Sequence, residues 1–189
     1  KGGGVVGALG THAFDILHWF FGDLKTVSAH ISTSITKRPK SNQMLDVTSE
    51  DVCLANLEID NYIGASIPCQ CSLSSVSKNG SGFNLEIYGS NGSLFLKSDN
   101  QSDYVHGFKL VYSDEKNKLN NIAPKDEFTL KKTWADGRIA PVMRIHSLWA
   151  ESIINGTPVI PGLSEGLLSQ KISEGIKQSA SSGFTTQIS

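Results

Sequence analysis

No stretch of this chain approaches the ~20 consecutive apolar residues that a membrane-spanning helix requires. Charge of one sign is equally scarce: 17 lysines and arginines stand against 18 aspartates and glutamates, a net of -1. Such a balance supplies no field to hold nucleic acid or an anionic membrane, and neither is expected as a partner. The single basic cluster, Lys37-Arg38-Pro39-Lys40, contains a proline and no interleaved aromatic residue, which predicts a solvated loop. Cysteine is rare and odd in number, with Cys53, Cys69 and Cys71 only. With no secretory signal, a disulfide framework is not expected and a reducing, cytoplasmic compartment fits. Cys69 and Cys71 would share one face of a strand, but no Cys/His partner pair stands at zinc spacing, so apolar packing and no metal are expected there. The sequons at Asn79, Asn91, Asn100 and Asn155 carry no weight without such a signal.

What is present suffices for a sizeable core: 189 residues at 39% hydrophobic content, read as one domain spanning 1–189. Glycine is concentrated at the start, in Gly2-Gly3-Gly4-Val5-Val6-Gly7-Ala8-Leu9-Gly10. Gly2, Gly4 and Gly7 satisfy the G-x-G-x-x-G pattern that cradles a dinucleotide pyrophosphate, yet the pattern has meaning only after a buried strand, and Lys1 alone precedes it here. No cofactor is therefore assigned to these glycines.

Apolar residues Phe14, Leu17 and Phe21 recur at helical spacing and Gly22 stands at the stop position, so residues 11–21 predict a well-buried helix. Val27, Ala29 and Ile31 alternate with polar residues, predicting a half-exposed strand over 25–36 followed by a polar loop to about Ser49. Runs at 51–59 and 62–73 predict a hairpin turning at Asp60-Asn61, and Phe83, Leu85 and Ile87 lead through Gly89-Ser90-Asn91-Gly92 into a second. A short strand around Phe108, Leu110 and Tyr112 precedes a polar, irregular stretch from Ser113 to Lys132, with a hint of one more strand at Phe128 and Leu130. Two helices close the chain: 141–154, with Val142, Ile145, Trp149 and Ile153 in phase, and 164–179, with Leu167, Leu168, Ile172 and Ile176 in phase. The expected class is α+β, an open and predominantly antiparallel sheet with helices packed on one face. The other face calls for a cover, and a second subunit is the economical one.

On the first helix Asp15 lies about 60° from His12, and position 8 lies about 40° to the other side, so positions 8, 12 and 15 share a face. A histidine beside a carboxylate can move a proton to or from a substrate hydroxyl. His18 lies about 120° from His12, which indicates neither a metal site nor a two-histidine relay. By itself the pair reads first as a capped and packed first turn.

The run from Gly2 to Ile31, with its glycine triplet and Gly10-Thr11-His12-Ala13-Phe14-Asp15, resembles the start of the C-terminal domain of the Gfo/Idh/MocA oxidoreductases. The likeness continues through Gly89-Ser90-Asn91-Gly92-Ser93-Leu94 and the closing Asn155-Gly156-Thr157-Pro158 to cover essentially the whole chain. It implies that the chain is the second half of a longer protein, whose N-terminal Rossmann half binds NAD or NADP and carries the catalytic lysine. It further implies a sugar or cyclitol substrate, His12 as acid/base, Asp15 and Thr11 as substrate-binding residues, and a homo-oligomer built on the open sheet. The chain alone would then not be catalytically competent. One position departs from the family pattern, since the aspartate commonly found four residues before the histidine is Ala8 here. Alanine can neither accept a hydrogen bond nor orient an imidazole. A non-catalytic regulator or scaffold of the same fold is thus the competing expectation.

Overall fold

The computed structural model describes residues 3–100, 107–116, 118–130 and 134–188. It divides into two compact units, residues 1–78 with 160–189 and residues 79–159.

In the first unit the helical lead begins at Val5, passes through a π turn at Val6–Gly10 and continues as α1 (Thr11–Phe21). The antiparallel sheet has the order β10-β1-β4-β5, made of β1 (Gly22–Ser32), β4 (Val52–Asn61), β5 (Ser66–Ser74) and β10 (Thr186–Gln187). Helix α3 (Leu163–Ser182) lies on the same face of this sheet as α1. The core between them is Phe14 and Leu17 of α1, Leu24 and Val27 of β1, Cys53, Ala55, Leu57 and Ile59 of β4, and Ile172 and Ile176 of α3. On β4 burial alternates strictly, the signature of a sheet with one covered face. The opposite face carries Ser28, His30, Asn56, Glu58, Gln70 and Ser72, with Leu54 its exposed apolar side chain.

Two elements differ from the sequence reading in how they meet the core. Helix α1 buries only Phe14 and Leu17, while Trp19 is 71% exposed and stacked on Phe20 at 5.0 Å. Helix α3 buries Ile172 and Ile176 but leaves Leu167 57% exposed, and the rest of its inward face is Ser169, Ser173, Gly175 and Ser179. Small side chains there let the helix axis approach β1; a Cβ on Gly175 would already sit 3.4 Å from Val27. Ser179 completes the join, accepting from the Ala29 amide at 3.0 Å and donating to the Phe184 carbonyl at 2.7 Å. It thereby extends the β1 edge beyond the two pairs made by β10.

The expected loop after β1 contains a small hairpin, β2 (Lys37–Lys40) and β3 (Gln43–Asp46), turning at Ser41 with φ 55°. The basic cluster is therefore an exposed strand rather than a loop, and Pro39 sits at a strand with one open edge, where its missing N–H costs no ladder bond. The β4–β5 turn falls at 62–65, starting two residues later than the predicted Asp60-Asn61, because the Asn61 side chain accepts from the Ile63 and Ala65 amides.

The second unit is a sheet of order β6-β7-β8-β9, made of β6 (Phe83–Gly89), β7 (Gly92–Ser98), β8 (Lys109–Asp114) and β9 (Leu119–Ile122). The turn at Ser90-Asn91 joins Gly89 opposite Gly92, as the sequence predicts. Strand β9 falls in the stretch read as irregular, and Phe128 ends a single 3₁₀ turn rather than a strand. Helix α2 (Ile139–Asn155) stops at Gly156 in the left-handed conformation, and none of its residues is buried. Its apolar residues Val142, Trp149 and Ile153 are exposed.

Gly22 joins α1 to β1 with no loop between them, at φ 117°, and a Cβ there would lie 2.3 Å from the Asp60 carbonyl oxygen. Gly22→Ala is expected to destabilise the chain by about 1–3 kcal/mol from the backbone conformation alone, before the clash is counted. Chemical denaturation of the variant measures this, and an unchanged midpoint would contradict the assigned constraint.

Candidate functional site

The residues singled out by sequence lie at the start of α1. Ala8 follows Gly4 by one turn, its amide donating to the Gly4 carbonyl at 2.9 Å. The Thr11 amide reaches back to the Val6 carbonyl, a five-residue step that makes this a π turn. Fewer degrees per residue are wound there than in an α-helix, so Ala8 swings toward the His12 direction and the shared face is kept.

His12 is exposed on this face and Asp15 is half-buried. No hydrogen bond or ion pair joins the two among the described residues, so each is free to address a ligand. The Thr11 hydroxyl donates to the Gly7 carbonyl at 3.1 Å, so toward a ligand it can act only as an acceptor. His18, by contrast, is committed to the far end of the helix. Its Nδ1 donates to the Gly22 carbonyl at 3.1 Å and lies 3.6 Å from Asp23, while its own carbonyl accepts from the Tyr62 hydroxyl at 2.9 Å. The Glu165 carboxyl, held below its usual range chiefly by the Gly162 amide and also by His18, caps the start of α3.

The glycine lead does not fit a dinucleotide. Gly4 begins a helical turn, the Val5 amide is taken by the Glu50 carbonyl at 2.8 Å, and a Cβ on Gly4 would lie 2.2 Å from that carbonyl oxygen. The glycine is needed for contact with protein, not phosphate; Gly2, the first of the pattern, lies outside the described residues. Cys53, Cys69 and Cys71 all face inward, and burial pushes the Cys53 thiol up to about 11 and the Cys71 thiol up to about 12. They are packing residues with little thiolate character at neutral pH. Among the described residues no group of three or more His, Cys, Asp or Glu side chains could hold a metal ion.

Glu50 and Asp51, which sequence reasoning passed over, border the same region. Asp51 is buried and its two carboxylate oxygens accept from the Ser34 amide at 2.7 Å and the Ile35 amide at 2.9 Å. It thereby fastens the segment after β1 to the start of β4. An acidic pair placed where a polar stretch gives way to an alternating strand was the available signal, since a carboxylate there can serve only the backbone or a ligand.

This architecture, an antiparallel sheet covered on one face by helices with a histidine and a carboxylate on the first of them, is that of an α+β domain. The chain matches the oxidoreductase family, C-terminal alpha/beta domain, over residues 1–188, and it belongs to that Gfo/Idh/MocA family. It is 40% identical over 181 residues to an uncharacterized oxidoreductase of Synechocystis sp., covering 94% of this chain and 48% of the relative. A levoglucosan dehydrogenase in complex with NADH has a similar structure, with a TM-score of 0.75 at 18% identity over 100% of this chain and 51% of that one. The super-repressor mutant of Gal80p from Saccharomyces cerevisiae also shares the fold, with a TM-score of 0.70 at 17% identity over 98% of this chain and 50% of that one. The chain thus spans about half the length of the relatives it matches.

The two amide bonds hold the Asp51 carboxyl below its ordinary value of 3.8. A carboxylate favoured in the folded state stabilises fully above the unfolded value, and that contribution is lost as pH falls through the folded one. Asp51→Asn is expected to lower the thermal midpoint at pH 7, with the gap to the unsubstituted protein closing as the pH is taken below about 4. Melting curves between pH 7 and pH 3 check this, and a gap independent of pH would contradict it.

Proposed function

We propose that this chain is the substrate-binding half of an NAD(P)-dependent dehydrogenase that oxidises a hydroxyl of a sugar or cyclitol. The observation that carries the reading is an exposed His12 on the same helix face as Asp15, on a domain of the oxidoreductase family. His12 takes the hydroxyl proton during oxidation and returns it in reduction. Asp15 and the acceptor lone pairs of Thr11 bind neighbouring hydroxyls and fix which carbon is presented. The nicotinamide group, held by the other half of the longer protein, supplies the hydride acceptor.

Copies of the chain associate through the outer face of β1, β4 and β5, where hydroxyl, amide and charged side chains surround Leu54. A face of this composition suits a wet, hydrogen-bonded interface. No described helix is long and apolar enough to cross a membrane, and the three free thiols are suited to a reducing, cytoplasmic setting.

A second reading is favoured by Ala8, which leaves the His12 face without a carboxylate one turn earlier. In that case the domain binds its ligand without turning it over and serves as a regulator or scaffold. The structural likeness to a super-repressor mutant of Gal80p supports this reading, since one architecture can host more than one function.

In the full-length protein His12→Ala is expected to lower kcat/KM on a polyol substrate by about 10²–10⁴-fold while leaving NADH affinity unchanged. Steady-state kinetics with NAD and NADP measure this. Full activity in the variant overturns the assignment of His12, and NADH binding without polyol-dependent turnover in the unsubstituted protein supports the regulatory reading instead.

A further inference from the structure

We propose that the Asn79-Gly80 step, between β5 and β6, is a self-modification site at which Asn79 loses its side-chain amide and becomes aspartate or isoaspartate. The Gly80 amide nitrogen gives up its proton to water and bonds to the Asn79 side-chain carbonyl carbon, from which ammonia leaves. Water then opens the five-membered imide ring. Opening at the side-chain carbonyl leaves aspartate with the chain unchanged; opening at the backbone carbonyl leaves isoaspartate, with the chain running through the former side chain. Ammonia is exchanged for water, and nothing is oxidised or reduced.

The chain holds three Asn-Gly steps, and they match closely in sequence: Asn79-Gly80-Ser81, Asn91-Gly92-Ser93 and Asn155-Gly156-Thr157. In each the glycine lacks a side chain to shield its nitrogen, and in each the asparagine is exposed. Neither intrinsic reactivity nor access to water separates them. The backbone does. Gly92 opens β7 and is paired with Gly89 on one side and Asp114 on the other, while the Asn91 carbonyl accepts from the Tyr112 hydroxyl at 3.1 Å. The Gly156 amide donates to the Ser152 carbonyl and closes α2. For either nitrogen to attack, the strand or the cap must first open locally, and the reaction is slowed by the cost of that opening.

Asn79-Gly80 needs no such opening. The stretch around it is tied at both ends, the Val76 and Ser77 amides donating to Ser74 Oγ at 3.2 Å and Asn84 Nδ2 donating to Ser81 Oγ at 2.8 Å. Between those ties no hydrogen bond involves Asn79 or Gly80 among the described residues. Asn79 stands at φ 54°, outside any helix or strand, so its backbone can turn toward the ring geometry without breaking a bond. No residue from 77 to 82 is buried. The product therefore adds a negative charge beside Lys78, and as isoaspartate one backbone methylene, without disturbing a core.

The test incubates the full-length protein in mildly alkaline buffer, folded and in urea, and follows the three steps by peptide mapping with fragmentation that separates isoaspartate from aspartate. In the folded protein Asn79 is expected to react about 10-fold or more faster than Asn91 and Asn155, and in urea the three are expected to react at similar rates. Gly80 is not among the glycines with positive φ, so Gly80→Ala is expected to fold normally and, by shielding the nitrogen, to slow Asn79 about 10-fold or more. Asn91 or Asn155 reacting as fast as Asn79 in the folded protein overturns the proposal. So does an Asn79 that stays intact when folded, or one that reacts as fast in the Gly80→Ala variant.

Discussion

The first unit depends on the loopless passage from α1 into β1 at Gly22. Its positive φ and its contact with the Asp60 carbonyl fix where the helix leaves the sheet. Around that corner His18 binds the Gly22 carbonyl through its ring and receives Tyr62 on its own carbonyl. Because β1 is an inner strand, paired with β10 on one side and β4 on the other, the helix inherits the rigidity of the sheet. A histidine three turns earlier on α1 is then held in place by backbone geometry and needs no bonds of its own. This is the arrangement a binding or catalytic side chain benefits from, since a rigid element positions it more closely than a loop would.

Helix α3 secures the other end of the same lead. Its small inward residues bring it close to β1 without a large side chain between them, and Ser169 reaches the Thr11 carbonyl at 3.5 Å. Apolar area alone would favour larger residues there. Serines give up some of that stabilisation and supply hydrogen bonds at fixed places, at Ala29 and Phe184 through Ser179 above all. The helix is thus registered against the sheet by polar contacts as well as packing.

The parts of this fold legible in the sequence are those where one physical signal dominates. Alternation marked β1 and β6, and the Asn155-Gly156 stop ended α2, because burial on one face and a left-handed cap leave few alternatives. Phe14 and Leu17 declared the inward face of α1. Hairpin β2–β3 was illegible for the opposite reason: every residue in it is exposed, so no hydrophobic period could form, and backbone pairing with an exposed Lys37–Asp46 ion pair holds it. Leu167 misled because phase was judged from apolar residues alone, whereas close approach to β1 selected serine and glycine for the buried face. At the candidate site His12, Asp15 and Ala8 stood out by type and spacing. Glu50 and Asp51 did not, because what brings them to the helix start is a contact between residues far apart in sequence, Gly4 with Glu50.

That contact sets which carboxylates stand near the alanine at position 8. A carboxylate on the helix itself would project from position 8 on a short side chain, in fixed relation to His12. Glu50 comes from the segment just before β4, on a side chain with more torsional freedom, and is kept in place by its seat against Gly4 and by Asp51 anchoring the segment beside it. Removing Asp51's hydrogen bonds to the Ser34 and Ile35 amides would loosen the segment between β1 and β2 as well as the residues leading into β4, Glu50 among them. The join between the helix start and the segment leading into β4 depends on the glycine at position 4, which permits the two to meet.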